Sequence, residues 1–216
     1  ENLMSISEFS GLSNVDSLSI FGNTSLENMT FSGLQNLSYL LFGNNSYIQY
    51  FPDLSALQNL IYLQVSGNFG ITSLEISALP NLMDLTIRSN VNLASLEISE
   101  LSNLTHLSID NIGDVSSIEI SGFQNLTQLD IKNNYSLINL EISELSNLYN
   151  LIIDNNDGLV NLNNFSQLPN LTHLTFHQNS NLISLPDLNN FPNLTHLNLE
   201  EYNEVNDLGN LSALSN

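Results

Sequence analysis

The stretch Leu79–Glu100, LPNLMDLTIRSNVNLASLEISE, decides the fold, because the rest of the chain repeats it. Aligned on this unit, the sequence restarts at Leu12, Leu34, Leu57, Leu79, Leu101, Phe123, Leu145, Leu168 and Phe191, every 22 or 23 residues. Residues 1–11 form a partial repeat and 214–216 open an incomplete one, so the whole of 1–216 is expected to be one array. A period of this length predicts a solenoid in which each coil packs on its neighbours.

Counting each coil from its first Leu or Phe gives position 7 as Leu in all nine coils, from Leu18 to Leu197. Position 4 is apolar from Val15 to Leu194, and position 9 from Ile20 to Leu199. Apolar residues at 7 and 9, with mostly polar residues at 6, 8 and 10, predict a half-buried strand. Successive coils run in the same direction, so these strands form one parallel sheet. Positions 15, 18 and 20 or 21, seen as Leu93, Leu96 and Ile98, line the opposite wall.

The return side has two forms. The 22-residue coils after the first end in LEIS or IEIS, whose alternation predicts a short second strand. The 23-residue coils read FPDL, LNNF or LPDL, and a looped or turn-like back is expected there. Pro52 and Pro186 supply no amide donor for a ladder. The remaining prolines, Pro80, Pro169 and Pro192, all stand at position 2, at the corner before the strand.

Position 12 is Asn23, Asn45, Asn68, Asn90, Asn134, Asn156 and Asn179, with Ile112 and Tyr202 as exceptions. A buried Asn just after a strand can bond the backbone of its own turn and of the next coil, satisfying amides inside the curve. The run Leu82-Leu85-Ile87-Asn90, repeated as Leu126-Leu129-Ile131-Asn134, resembles the leucine-rich-repeat consensus L-x-x-L-x-L-x-x-N over essentially the whole chain. The resemblance implies a right-handed superhelix of the α/β class, mostly β. One parallel concave sheet faces short strands, turns and loops, with little helix. The pattern is most similar to secreted and surface leucine-rich repeats of 22–23 residues. It departs from the commonest form in two ways: the next apolar residue follows the Asn by three positions, and cysteine-rich caps are absent.

A second Asn column stands at position 3, from Asn14 to Asn216, and reads as a turn residue that aims the chain into the strand. This register sorts the glycosylation sequons. Those on the corner and buried columns are discounted, and sugar is expected first at Asn28, Asn44, Asn164 and Asn210, which fall at open positions.

Charge narrows the partners. The chain has 22 acidic residues against two basic ones, Arg88 and Lys132, for a formal charge of -20. Such a surface repels phosphate backbones and anionic lipid, so no nucleic-acid partner is expected. No apolar run approaches the roughly 20 residues of a membrane span, so no membrane insertion is expected. There is no leader-like start, so any secretion signal was removed or lies outside these residues. The absence of Cys removes thiol chemistry and suits an oxidising exterior. An extracellular or cell-surface location is therefore expected.

The family binds through the sheet face, positions 6, 8 and 10, where both basic residues and all four histidines fall. The expected binding residues are Tyr39, Leu41, Tyr62, Arg88, His106, Lys132, Tyr149, Ile152, His173, His177 and His196. Aromatic and aliphatic side chains on a polar sheet are where binding energy concentrates. Position 10 alternates in sign, predicting an ion-pair ladder worth about 0–1 kcal/mol per exposed link. His173 and His196 should be cross-strand neighbours, with His177 beside Glu200. The two pairs lie roughly 13 Å apart, too far to share one ion. On the return side Glu75, Glu97, Glu119 and Glu141 form an acidic column, either a solvated stripe or a weak calcium site. No catalytic set emerges, and neither enzyme activity nor a cofactor is expected. The sequence thus predicts a recognition or adhesion module that binds a protein or glycan. The alternative is a structural subunit stacking end to end through uncapped coil ends.

Overall fold

In the computed structural model the structure describes residues 3–166 and 168–200. Asn210, Tyr202 and the incomplete repeat 214–216 lie outside the described residues, as do residues 1–2 of the partial repeat and the side chain of Asn164. Chain contacts group the molecule into two units, Glu1–Leu104 with Ile112–Asp114, and Thr105–Asn111 with Val115–Asn216. The fold is a parallel β-solenoid with almost no helix.

In the first unit the main strands are Ser17–Phe21, Tyr39–Gly43, Tyr62–Ser66 and Asp84–Arg88, paired parallel and in register from Ser17 through Tyr39 and Tyr62 to Asp84. In the second unit His106–Asp110, Gln128–Lys132, Asn150–Asp154, His173–His177 and His196–Glu200 pair in the same way. Positions 7 and 9 face the core: Leu40, Phe42, Leu63 and Val65 are buried in the first unit, and Leu129, Ile131, Leu151 and Ile153 in the second.

Two turns recur along the described coils, the second wherever position 12 is Asn. The carbonyl at position 1 accepts from the amide at position 4, as in Leu82 N–H to Leu79 and Leu171 N–H to Leu168. Proline at position 2 is the second residue of that turn, where its fixed φ fits and its missing N–H costs nothing. The carbonyl at position 12 accepts from position 15, as in Leu93 N–H to Asn90. Between these turns the backbone passes through the left-handed region at position 11, occupied by Gly22, Asn44, Gly67, Ser89, Asn111, Asn133, Asn155 and Gln178. Gly and Asn tolerate that conformation best.

The return side follows the two-class expectation with one correction. Strands Ser73–Ile76 and Ser95–Ile98 pair in the first unit, and Ser117–Ser121 and Asn139–Ser143 in the second. The proline-containing backs form no strand, and the one at Pro186 runs into a 3-10 turn, Leu188–Asn190, capped by the Asp187 carboxylate. The LNNF coil, expected to be looped, instead forms the strand Asn161–Ser166 beside Asn139–Ser143. It has no proline, so its amides can join the ladder, and the extra residue is absorbed by a shift of register between Glu141 and Ser143.

Coil length also fixes how a coil closes. In the 22-residue coils the last residue is left-handed: Gly33, Ala78, Glu100, Gly122 and Glu144. Ala56 and Asn190, which end 23-residue coils, are not. One residue fewer forces a tighter turn into the next corner.

Candidate functional site

The Asn column at position 12 organises the strand ends. Asn45, Asn68 and Asn90 in the first unit, and Asn134, Asn156 and Asn179 in the second, are all buried. Their side chains reach mainly into the preceding coil, and Asn68 and Asn156 also donate to the carboxamide oxygens of Asn90 and Asn179 in the next one. The Asn156 carboxamide oxygen accepts from Asn134 N–H at 3.0 Å, and its Nδ2 donates to the Ile131 carbonyl at 3.0 Å. The Asn68 oxygen likewise accepts from Asn45 N–H, and Asn90 Nδ2 donates to Val65. Asn23 is only half-buried and donates locally to Phe21.

The position-3 column does more than the turn role expected of it. Asn36, Asn59, Asn81 and Asn103 donate to the position-2 carbonyl of the preceding coil at 2.7–2.8 Å, and so do Asn147, Asn170 and Asn193. These side chains are exposed, so the column forms an outer hydrogen-bonded seam.

On the sheet face of the first unit, Tyr39 and Tyr62 stack with centroids 4.4 Å apart and planes 11° from parallel. Leu41 lies between Ser19 and Gln64 in register and is half-buried. Phe21 covers Gly43, where any β-carbon would run into its ring. Tyr62 Oη donates to Gln64 Oε1 at 3.3 Å, and Gln64 Nε2 passes the chain on to Ser66 Oγ at 3.2 Å. Burial, with Tyr39 and Asp84 adding to it, raises the Tyr62 pKa, so the phenol remains a hydrogen-bond donor. Arg88 is exposed, in register with Ser66.

The face of the second unit is polar. His177 Nδ1 lies 2.8 Å from Asp154 Oδ1, and its Nε2 lies 4.0 Å from Glu200 Oε2. This end of the position-10 row is therefore linked across strands through His177. Lys132 departs from the expected alternation. Its Nζ lies 3.2 Å from Asp130 on its own strand, two residues away on the same face. Asp130 is the more buried carboxylate at 15% exposure, and its other oxygen has no hydrogen-bond partner. A desolvated charge gains more from a cation than a hydrated one. His106 is half-buried opposite Gln128. Ile152 stands between Asp130 and Thr175, while Tyr149 lies one residue ahead of its strand and is exposed.

His173 and His196 are stacked, with centroids 4.1 Å apart and planes 7° from parallel. On the return side Glu75 pairs in register with Glu97, and Glu119 with Glu141. Ser77 and Ser121 hydroxyls donate to Glu75 and Glu119. Among the described residues no group of three or more His, Cys, Asp or Glu side chains converges on one point.

Asn28 and Asn44 are both exposed, Asn28 within the short strand Asn28–Met29 and Asn44 in the left-handed turn after Tyr39–Gly43. The repeat pattern does not mark Tyr47 and Tyr50, at 66% and 80% exposure. They border a shallow groove of about 410 Å³ with Ser46, Gln49, Gly70 and Thr72. Their coil positions vary between repeats, so no column singles them out.

No protein-family model matches the chain, and no curated protein does. Among solved structures it is similar to the leucine-rich repeat domain of the type III effector XopL, at 20% identity and a TM-score of 0.50. That match covers 86% of this chain and 76% of the other. It also aligns with the functional domain of InlJ from Listeria monocytogenes, at 16% identity, a TM-score of 0.30 and coverage of 90% and 65%. A third alignment is with an internalin, InlF, of the same organism, at 20% identity, a TM-score of 0.32 and coverage of 94% and 86%. The fold is that of a leucine-rich-repeat solenoid. Among the described residues no helix is long and apolar enough to cross a membrane.

Proposed function

We propose that the chain is a non-enzymatic recognition module, acting outside the cell or at its surface, which binds a protein or glycan on the face of its main sheet. The observation that carries this reading is the cluster of Phe21, Tyr39, Leu41 and Tyr62 on an otherwise polar face. Phe21 and Tyr39 remain 41% and 38% exposed, so part of their apolar surface is open to a partner. The Tyr39–Tyr62 stack is pre-ordered, which lowers the entropy lost on binding. Such anchors commonly dominate an interface, while the polar rim supplies specificity. The scarcity of Lys and Arg and the lack of Cys support the extracellular placement.

Screening the chain against a glycan array and a displayed library of cell-surface ectodomains tests this reading. A ligand of the sheet face should lose about tenfold or more in affinity with Tyr39→Ala or Tyr62→Ala. Tyr50→Ala, on the return side, should leave it unchanged. Ligands indifferent to both sheet tyrosines would overturn the proposal.

A further inference from the structure

The stacked histidines carry an inference that is independent of the partner just proposed. His173 Nδ1 lies 2.8 Å from Thr172 Oγ1, and His196 Nδ1 lies 2.9 Å from Thr195 Oγ1. Each threonine hydroxyl has one proton, and each already donates it to a carbonyl of the preceding coil. Thr172 donates to Tyr149 at 3.0 Å and Thr195 to Thr172 at 3.1 Å. Toward the imidazole each oxygen can then only accept. With each hydroxyl proton on its carbonyl, the neutral rings carry their proton on Nδ1, which leaves the Nε2 lone pairs free.

The two Thr–His pairs occupy equivalent places on adjacent parallel strands, His173 in register with His196. The rings are held alike and lie nearly parallel, so both Nε2 atoms face the same way. Both side chains are exposed. We propose that His173 and His196 form a two-nitrogen site for a late divalent transition metal, with zinc as the test ion and water completing its shell. Neutral imidazole is the favoured nitrogen donor for such ions. Zinc–nitrogen bonds of about 2.0–2.1 Å require the nitrogens to close from the stacking distance by under about 1 Å and each exposed ring to turn by roughly 50°, so that the two lone pairs converge on the ion instead of running parallel.

The threonines act as positioning residues, playing the role that a second hydrogen-bonded shell plays around a metal-binding histidine. The acidic surface raises the local concentration of any cation, but that attraction does not distinguish one histidine from another. His106 supplies the internal control. Its Nδ1 also meets a threonine, Thr105, at 3.0 Å, but its cross-strand neighbour is Gln128.

Calorimetric titration of the full chain with zinc, in buffered salt containing excess calcium, tests the site. One zinc should bind saturably. His173→Asn and His196→Asn should each weaken it by about tenfold or more, because the second ligand no longer acts at high effective concentration. His106→Asn should leave it unchanged. Thr195→Val should weaken zinc by about tenfold. Imidazole nitrogen NMR gives the second readout: both residues should show the Nδ1–H form without metal, and both Nε2 signals should move on titration. The proposal is overturned if zinc fails to saturate, if His106→Asn weakens it as much as His173→Asn, or if only one Nε2 responds.

Discussion

The buried asparagines show how much one side chain can hold. Asn156 bridges to two backbone groups of the preceding coil and also donates to the Asp154 carbonyl of its own turn. Asn156→Ala strands the Asn134 amide and the Ile131 carbonyl away from water. It should cost about 2–4 kcal/mol in urea unfolding. Asn81, in the outer seam, makes an equally short bond to the Gln58 carbonyl, but water can replace it. Asn81→Ala should cost about 1 kcal/mol or less. The residue types at both columns were legible from the sequence. The direction of the bonds was not, because an Asn after a strand can serve its own turn, the coil before or the coil after. Only the backbone path selects among them. The tautomers of His173 and His196 were hidden for the same reason: they depend on where a neighbouring hydroxyl sends its single proton.

At the scale of elements, the strand register was readable because positions 7 and 9 are apolar in every coil and the prolines avoid that segment. The return side was readable where Pro52 and Pro186 removed a donor, and misread at Asn161–Ser166, where a bulge hides a one-residue insertion that leaves the composition ambiguous. Coil closure offered a weaker signal. Gly33 and Gly122 mark left-handed ends, but Ala78, Glu100 and Glu144 adopt the same conformation without glycine's freedom. A β-carbon there costs roughly 1–2 kcal/mol. Glu144→Gly should therefore raise the urea midpoint, by about 1 kcal/mol in stability after the extra flexibility of the unfolded glycine is subtracted. The same change at Asn190, which ends a 23-residue coil outside that conformation, should destabilise.

For the molecule as a whole, the dominant physical fact is a formal charge of -20 on 216 residues. Like charges in register, Glu75 with Glu97 and Glu119 with Glu141, add to this self-repulsion. Raising sodium chloride from low to high ionic strength should raise the melting temperature monotonically, since screening relieves repulsion between exposed charges. A melting temperature that falls with salt would place the Lys132–Asp130 ion pair above the repulsion in importance. Composition alone suffices for this expectation. It does not say which face binds, because Tyr39 and Tyr62 are recognisable as a platform only once adjacent strands bring their rings together.

The buried asparagines also impose an order of assembly. They bind groups that the preceding coil has already fixed in place, and the backbone amides of Asn45, Asn68, Asn134 and Asn156 wait for the asparagine that follows. A coil leaving the ribosome therefore meets a finished template on its upstream side and in turn becomes the template for the next. Growth of the solenoid can keep pace with synthesis, each coil zipped to the last before its successor has been made.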